Sequence, residues 1–379
     1  VSGLVLTNVS PIGFDGGTET GEICIDGAGR IAAEAPEAAR VIDCGGAYVS
    51  PGWADLHVHV WHGGTDISIR ADEAGVSGGV TAMADAGSAG EASFHGLREY
   101  VIEKQRETVR AFLNIGSIGL VACNRVSELI DMRSIDVDRT LAVIEANRDV
   151  ICGIKVRASG VIVGAWGITP VKIAKRVAEI AELPLMVHIG EPPPMIDEVL
   201  DILTPGDVVT HCFNGKKSGS IADTPQLMEM AKQLAASGVR MDIGHGAASY
   251  SFAVAERAIA DGLKPFSIST DLHRRNVHGP VYDLATTVSK VHAAGLGFED
   301  CVEAICGAPR GFLGLPARNG LEIGEKADLT VFDLVDADEV VTDSLGHTLR
   351  VKRFFEPRFA VIGDEAFEAA RAGRKAGAV

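Results

Sequence analysis

The stretch Pro51-Gly52-Trp53-Ala54-Asp55-Leu56-His57-Val58-His59-Val60 sets two imidazoles apart by a single apolar residue. Alternate side chains of an extended strand share a face, so His57 and His59 point one way while Leu56, Val58 and Val60 point the other. That is how a strand presents a two-nitrogen metal clamp. A pair of half-buried strand histidines satisfied by backbone or water reads the same in isolation, so partners elsewhere in the chain must decide.

Downstream of this strand a pattern repeats: an apolar run, a polar or Gly-rich turn, then a longer amphipathic segment. The expected strands are Ala54–Val60, Thr81–Asp85, Arg110–Ile118, Ile151–Arg157, Pro184–Ile189, Asp207–Phe213, Arg240–Gly244 and Phe266–Asp271. Helical intervals such as Glu91–Val109, Val171–Ala181 and Thr224–Ala236 separate them. Eight such units predict an α/β protein built on a (β/α)8 TIM barrel. A doubly wound open sheet is the alternative, but no GxGxxG opens a helix after a strand.

The two ends of the chain look different. Short apolar runs (Leu4-Val5-Leu6, Ile23-Cys24-Ile25, Tyr48-Val49) alternate with turn signals at Asp15-Gly16-Gly17 and Asp26-Gly27-Ala28-Gly29, which predicts a small antiparallel sheet. Such strands bury too little to stand alone. Their expected mates are Gly320–Asp333 and Phe359–Ile362. Residues 1–50 and 320–379 are therefore read as a small β-sandwich domain, and 51–319 as the catalytic barrel.

Composition bounds the function. Hydrophobic residues at 46% and charged residues at 23% describe a globular protein with a large core. A net charge of −16, with no clustered basic patch, argues against a nucleic-acid partner. No run of 18 or more apolar residues predicts a membrane span, and no basic leader opens the chain, so a cytoplasmic location without a membrane partner is expected. The seven cysteines are scattered without a CxxC pair and read as reduced core residues. A homo-oligomer is compatible with the sequence, which does not set the oligomeric state.

Catalytic groups of a barrel sit at the C-terminal ends of its strands. His59 ends the first strand, Lys155 lies near the end of the fourth, His188 and His211 end the fifth and sixth, and the eighth delivers Asp271. An isolated strand histidine is usually a satisfied core residue, and a lysine facing a barrel interior must be paired or neutral. Accident does not set four histidines, a lysine and an aspartate at the same ends of five strands, so a metal site is expected.

On these residues the chain resembles the amidohydrolase superfamily over nearly its whole length. That family carries His-x-His on strand one, Lys on strand four, His on strands five and six and Asp on strand eight, with a β-sandwich built from both termini. The match falls at His57, His59, Lys155, His188, His211 and Asp271, and the Lys326-Ala327-Asp328-Leu329 run is also typical. Within the superfamily the chain looks most like dihydroorotase-related deacetylases, including in Asp271-Leu272-His273 followed by Gly279–Lys290. Members of that branch are often labelled dihydroorotase or adenine deaminase, and hydrolyse acetyl esters or amides of small α-hydroxy or α-amino acids.

The resemblance implies two zinc ions bridged by a carboxylated Lys155, with manganese or iron as other occupants of the cage. His57, His59 and Asp271 would hold the more buried metal and His188 with His211 the more exposed one. Asp271 would also move the proton of the bridging water. The expected substrate is a small molecule bearing a carboxylate. Arg157 shares strand parity with Lys155 and could clamp that carboxylate or form a salt bridge; His245 and His273 are candidate hydrogen-bond donors, beside Arg274, Arg275, Asn276 and His278. Asn214–Ser220 reads as a lid or as a solvated loop. Cyclic amide hydrolysis would use the same metals, His188-Ile189-Gly190-Glu191 spells the HxxE of single-zinc deaminases, and a non-catalytic scaffold would have lost the ligands that are all present here.

Overall fold

A computed structural model describes residues 3–15, 21–129 and 131–372. Val1-Ser2, Gly16-Gly17 of the first expected turn, and the tail 373–379 lie outside them. Seven parallel strands follow one another round a single sheet: Trp53–Val58, Val80–Gly90, Thr108–Asn114, Ile151–Ala158, Leu185–Ile189, Val208–Thr210 and Arg240–Asp242. The eighth expected strand makes no regular ladder. Its segment nonetheless bridges both edges of the sheet, Ser267 opposite Asp242 and Leu272 opposite Val58, both parallel. Phe266 N–H donates to Met241 C=O at 2.7 Å and His59 N–H to Leu272 C=O at 3.0 Å, so the sheet closes into a barrel.

The broken ladder has a local cause. Side chains take backbone groups that a neighbouring strand would otherwise use: Thr270 N–H donates to Asp55 at 3.1 Å, and Gly244 N–H to Ser269 Oγ at 2.9 Å. Asp271 then turns into the left-handed region at φ 50°. The chain leaves strand geometry where polar groups gather.

Helices cover the barrel where the spacing predicted them. The helix Thr169–Ala181 buries Val171, Ala174, Val177, Ala178 and Ala181, one stripe at helical spacing. The helix Pro225–Ser237 starts at Thr224, whose hydroxyl accepts from Leu227 N–H at 3.2 Å, and stops at Gly238 with φ 105°. The interval Glu91–Val109 is only partly helical, at Phe94–Tyr100, because the next strand already begins at Thr108.

The chain ends form two facing sheets. One orders Ile31–Ala32, Ile23–Ile25, Leu4–Thr7 and Arg40–Asp43; the other orders Glu365–Glu368, Thr348–Ile362, Asp328–Thr342, Tyr48–Pro51 and Ser10–Pro11. Leu4, Leu6, Ile25, Val49, Leu329, Val331 and Val361 fill the space between them. Neither is purely antiparallel, contrary to the sequence reading. Leu4–Thr7 lies parallel to Arg40–Asp43, because the chain reverses direction twice between them. Nor is Gly320–Asp333 one strand: its ladder begins at Asp328, and before that only Lys326 bridges, opposite Arg30. From there a long hairpin, Asp328–Thr342 with Thr348–Ile362, reaches the barrel mouth. At its turn Ser344 donates to Gly246 C=O at 2.8 Å, on the loop after the seventh strand.

Candidate metal centre

Six side chains that the sequence singled out converge at the C-terminal mouth of the barrel. His57 and His59 bracket Asp271, with Nε2 to Oδ1 distances of 3.4 and 3.1 Å. Lys155 Nζ stands 3.2 Å from His57 Nε2, and His211 Nε2 stands 2.9 Å from His188 Nδ1. The rings of His57 and His211 are 5.1 Å apart, which joins the two groups. His57, His211 and Asp271 each offer an atom within 4.8 Å of the other two.

Local structure fixes how these groups point. His211 follows its strand at φ 68°, which swings its ring inward, and its Nδ1 lies 2.6 Å from Gly244 C=O. His57 Nδ1 lies 2.8 Å from Thr210 Oγ1, and His59 Nδ1 lies 3.0 Å from Ser88 Oγ. In each case the nitrogen away from the cluster is engaged, which leaves the other free to ligate. The stem of Lys155 is pressed by Gly87, where a Cβ would come within 2.8 Å of Lys155 Cβ and Cγ. Only glycine fits there.

Electrostatics favours metal over protons. Burial, helped by the charge of Lys155, holds His57 well below its ordinary pKa. Burial does the same to His188 and brings His211 down to about 3, so these imidazoles are neutral with a lone pair available. Burial alone would raise Asp271, but His57, His59 and His273 outweigh it and hold the carboxyl well below the carboxylate range. Lys155 is fully buried, its amine brought down to about 8 mainly by burial. Its nearest polar partners are His57 Nε2 and, at 3.5 Å, Met186 Sδ; among the described residues no carboxylate sits at ion-pair distance. Neutral nitrogens, one carboxylate and one unpaired amine facing a common space fit a divalent metal.

The expected substrate contacts fare differently. Arg157 is committed elsewhere: Nε and Nη2 grip the fully buried Glu128 at 2.7 and 2.5 Å. Its Nε/Nη2 edge is taken, so the salt-bridge alternative describes this arginine, as a buried pair rather than a surface one. His245 is buried, 3.0 Å from Gly246 C=O and 3.1 Å from Lys290 Nζ, and stacks on Tyr250. Both of its ring nitrogens have protein partners, so neither is free to donate to a substrate. His273 does flank the site, its ring 6.4 Å from that of His59. Residues 214–220 form a pinned turn rather than a lid, for Asn214 Nδ2 donates to His211 and Gly219 carbonyls and Ser220 Oγ to Asn214 C=O. Glu191, the last residue of the HxxE run, accepts from Ser159 Oγ at 2.6 Å and pairs with Lys216 at 3.1 Å.

Sequence reading missed Ser88, Thr210 and Glu128. Two are small hydroxyl residues without periodic signal. Glu128 lies in an irregular loop that nothing in the sequence ties to Arg157.

The pattern of the amidohydrolase family matches residues 48–365. The chain belongs to the amidohydrolase family. It is therefore a hydrolase, and amidohydrolases generally bind divalent metals, as the His57–His211–Asp271 group would. A deacetylase of Agrobacterium fabrum is 57% identical over 375 residues, covering 97% of this chain and 92% of the relative. A solved structure described as a dihydroorotase superposes with a TM-score of 0.94 at 55% identity, covering 98% of this chain and 99% of that one. Another, described as an adenine deaminase, gives a TM-score of 0.87 at 36% identity, covering 97% and 100%. No helix among the described residues is long and apolar enough to cross a membrane.

Proposed function

We propose that this amidohydrolase removes the acetyl group from an ester or amide of a small α-hydroxy or α-amino acid, using a two-zinc site. His57, His59 and Asp271 would hold one ion, His188 and His211 the other, and Lys155 would bridge them. Bound in pairs, such cations polarise a carbonyl and lower the pKa of water.

The observation that carries the reading is Lys155, a buried amine with no carboxylate partner among the described residues. A single-metal deaminase has no use for it. As a neutral amine it can attack carbon dioxide: a nitrogen–carbon bond forms, a proton leaves, and the anionic carbamate supplies two oxygens where the ammonium would have repelled cations. Asp271, ionised and within reach of both clamp histidines, accepts the proton of the attacking water and returns it to the leaving oxygen or nitrogen. His273 stands beside this group to steady the developing oxyanion.

The acetyl preference is supported by the Agrobacterium relative named a deacetylase. The solved neighbour described as a dihydroorotase supports cyclic amide hydrolysis as the second reading. A panel of acetylated α-hydroxy and α-amino acids, both enantiomers, beside dihydroorotate, hydantoins and adenine separates them. Turnover of an acetylated acid is expected; turnover of only the cyclic amides would overturn the deacetylase assignment.

A further inference from the structure

The last residue of the seventh barrel strand, Asp242, is a fully buried carboxylate with no lysine or arginine at ion-pair distance among the described residues. Three hydroxyls surround it instead. Ser267 Oγ donates to Oδ1 at 2.6 Å, while Thr210 Oγ1 and Ser269 Oγ donate to Oδ2 at 2.7 and 2.8 Å. Each hydroxyl has a single proton, and a carboxylate can only accept. The remaining lone pairs of Thr210 and Ser269 must then receive hydrogen bonds.

They do, along two branches. Thr210 Oγ1 lies 2.8 Å from His57 Nδ1, and since its proton is already given to Asp242 it must accept from an Nδ1–H. Ser269 Oγ accepts from Gly244 N–H at 2.9 Å, and Gly244 C=O, which can only accept, stands 2.6 Å from His211 Nδ1. Gly244 is held at φ 48°, and a Cβ there would collide with Thr210 Oγ1 and stand 2.9 Å from His211 Nδ1 and 3.1 Å from His57 Nδ1. The three strands keep level with one another, His188 opposite Thr210 and Thr210 opposite Asp242.

We infer that Asp242 is a positioning residue that sets the tautomer of His57 through Thr210 and, through Ser269 and the Gly244 backbone, seats the carbonyl that sets the tautomer of His211, so that both turn Nε2 to the metal. This rests on the metal reading above. It makes one carboxylate the common support of histidines assigned to different ions, 3.8 Å from His57 Nδ1 on the side of the ring away from Asp271. Partners of this kind govern metal affinity by about 10- to 100-fold.

The test measures zinc affinity by competition with a chromophoric chelator on purified Asp242→Asn, Thr210→Val, Ser269→Ala and Thr210→Ser proteins, beside the parent. Nitrogen-15 imidazole spectra of the metal-free proteins report the tautomers. Asp242→Asn should weaken zinc binding by about 10- to 100-fold, Thr210→Val should release the His57 tautomer alone, and Thr210→Ser should restore both affinity and tautomer. If Asp242→Asn does not fold, Thr210→Val and Ser269→Ala decide by the same two readouts. Variants with parental zinc affinity and unchanged Nδ1–H tautomers would overturn the role of Asp242 while leaving the metal site standing. A folded parent that binds no zinc would overturn both.

Discussion

Lys155 and Arg157 are cations two places apart on one strand, on the same face and at the same barrel mouth. Arg157 has a carboxylate of its own in Glu128, gripped in bidentate fashion, and is thereby part of the scaffold. Lys155 has none. Burial alone would raise Glu128, but Arg157 outweighs it and keeps the carboxyl below its ordinary range, whereas burial dominates at Lys155 and lowers its amine to about 8. A buried charge that is answered stiffens a fold, and one that is unanswered marks where a ligand or modification belongs.

The sharpest way to break this contrast is Lys155→Ala. Hydrolysis should fall at least about a thousandfold, equivalent to about 4 kcal/mol of transition-state stabilisation. Zinc content should drop with it, and added formate or acetate should restore part of the rate. Near-normal turnover would mean that the bridge is misplaced.

Glu128→Gln probes the other member. Leaving Arg157 buried and unanswered should cost about 3 kcal/mol of stability, the lower end of the range for such pairs because the arginine is partly exposed. Urea unfolding measures it, and the paired change Arg157→Met with Glu128→Leu should recover much of the loss. A single variant as stable as the parent would show that the pair contributes nothing.

The smallest effect is on pH dependence. Between about pH 8 and about pH 10.4 the unfolded chain binds a proton at Lys155 that the folded chain does not, so metal-free protein should gain stability as pH rises through that window. Below about pH 8 the full cost of the buried ammonium is present. Lys155→Met should lack this gain, which chelator-treated samples unfolded at pH 7.5 and pH 10 would reveal; parallel profiles would contradict it.

Much of this arrangement was legible from residue order. Barrel strands announce themselves as apolar runs between turn signals, and the six converging side chains stood out as polar groups in apolar strands. Three things were hidden, each for a physical reason. Arg157 could not be told from a substrate clamp because Glu128 reaches it from an irregular loop. His245 looked like a donor at the mouth, but Lys290, from a helix 45 residues later, engages its Nε2. The terminal hairpin was invisible as one element because its outer part, Val335–Thr342 above all, is largely exposed and its alternation breaks off after Asp338.

That hairpin bears on how the protein is made. Tyr48–Pro51 finds its partner in Leu329–Phe332, and Trp53 N–H gives its hydrogen bond to Thr330 Oγ1 at 2.9 Å. At ribosomal speed the second partner follows the first by tens of seconds, roughly. The strand that carries His57 thus leaves the ribosome well before the partner that anchors its base, and during that interval an apolar run with an open edge depends on the rest of the barrel, or on a chaperone, for shelter.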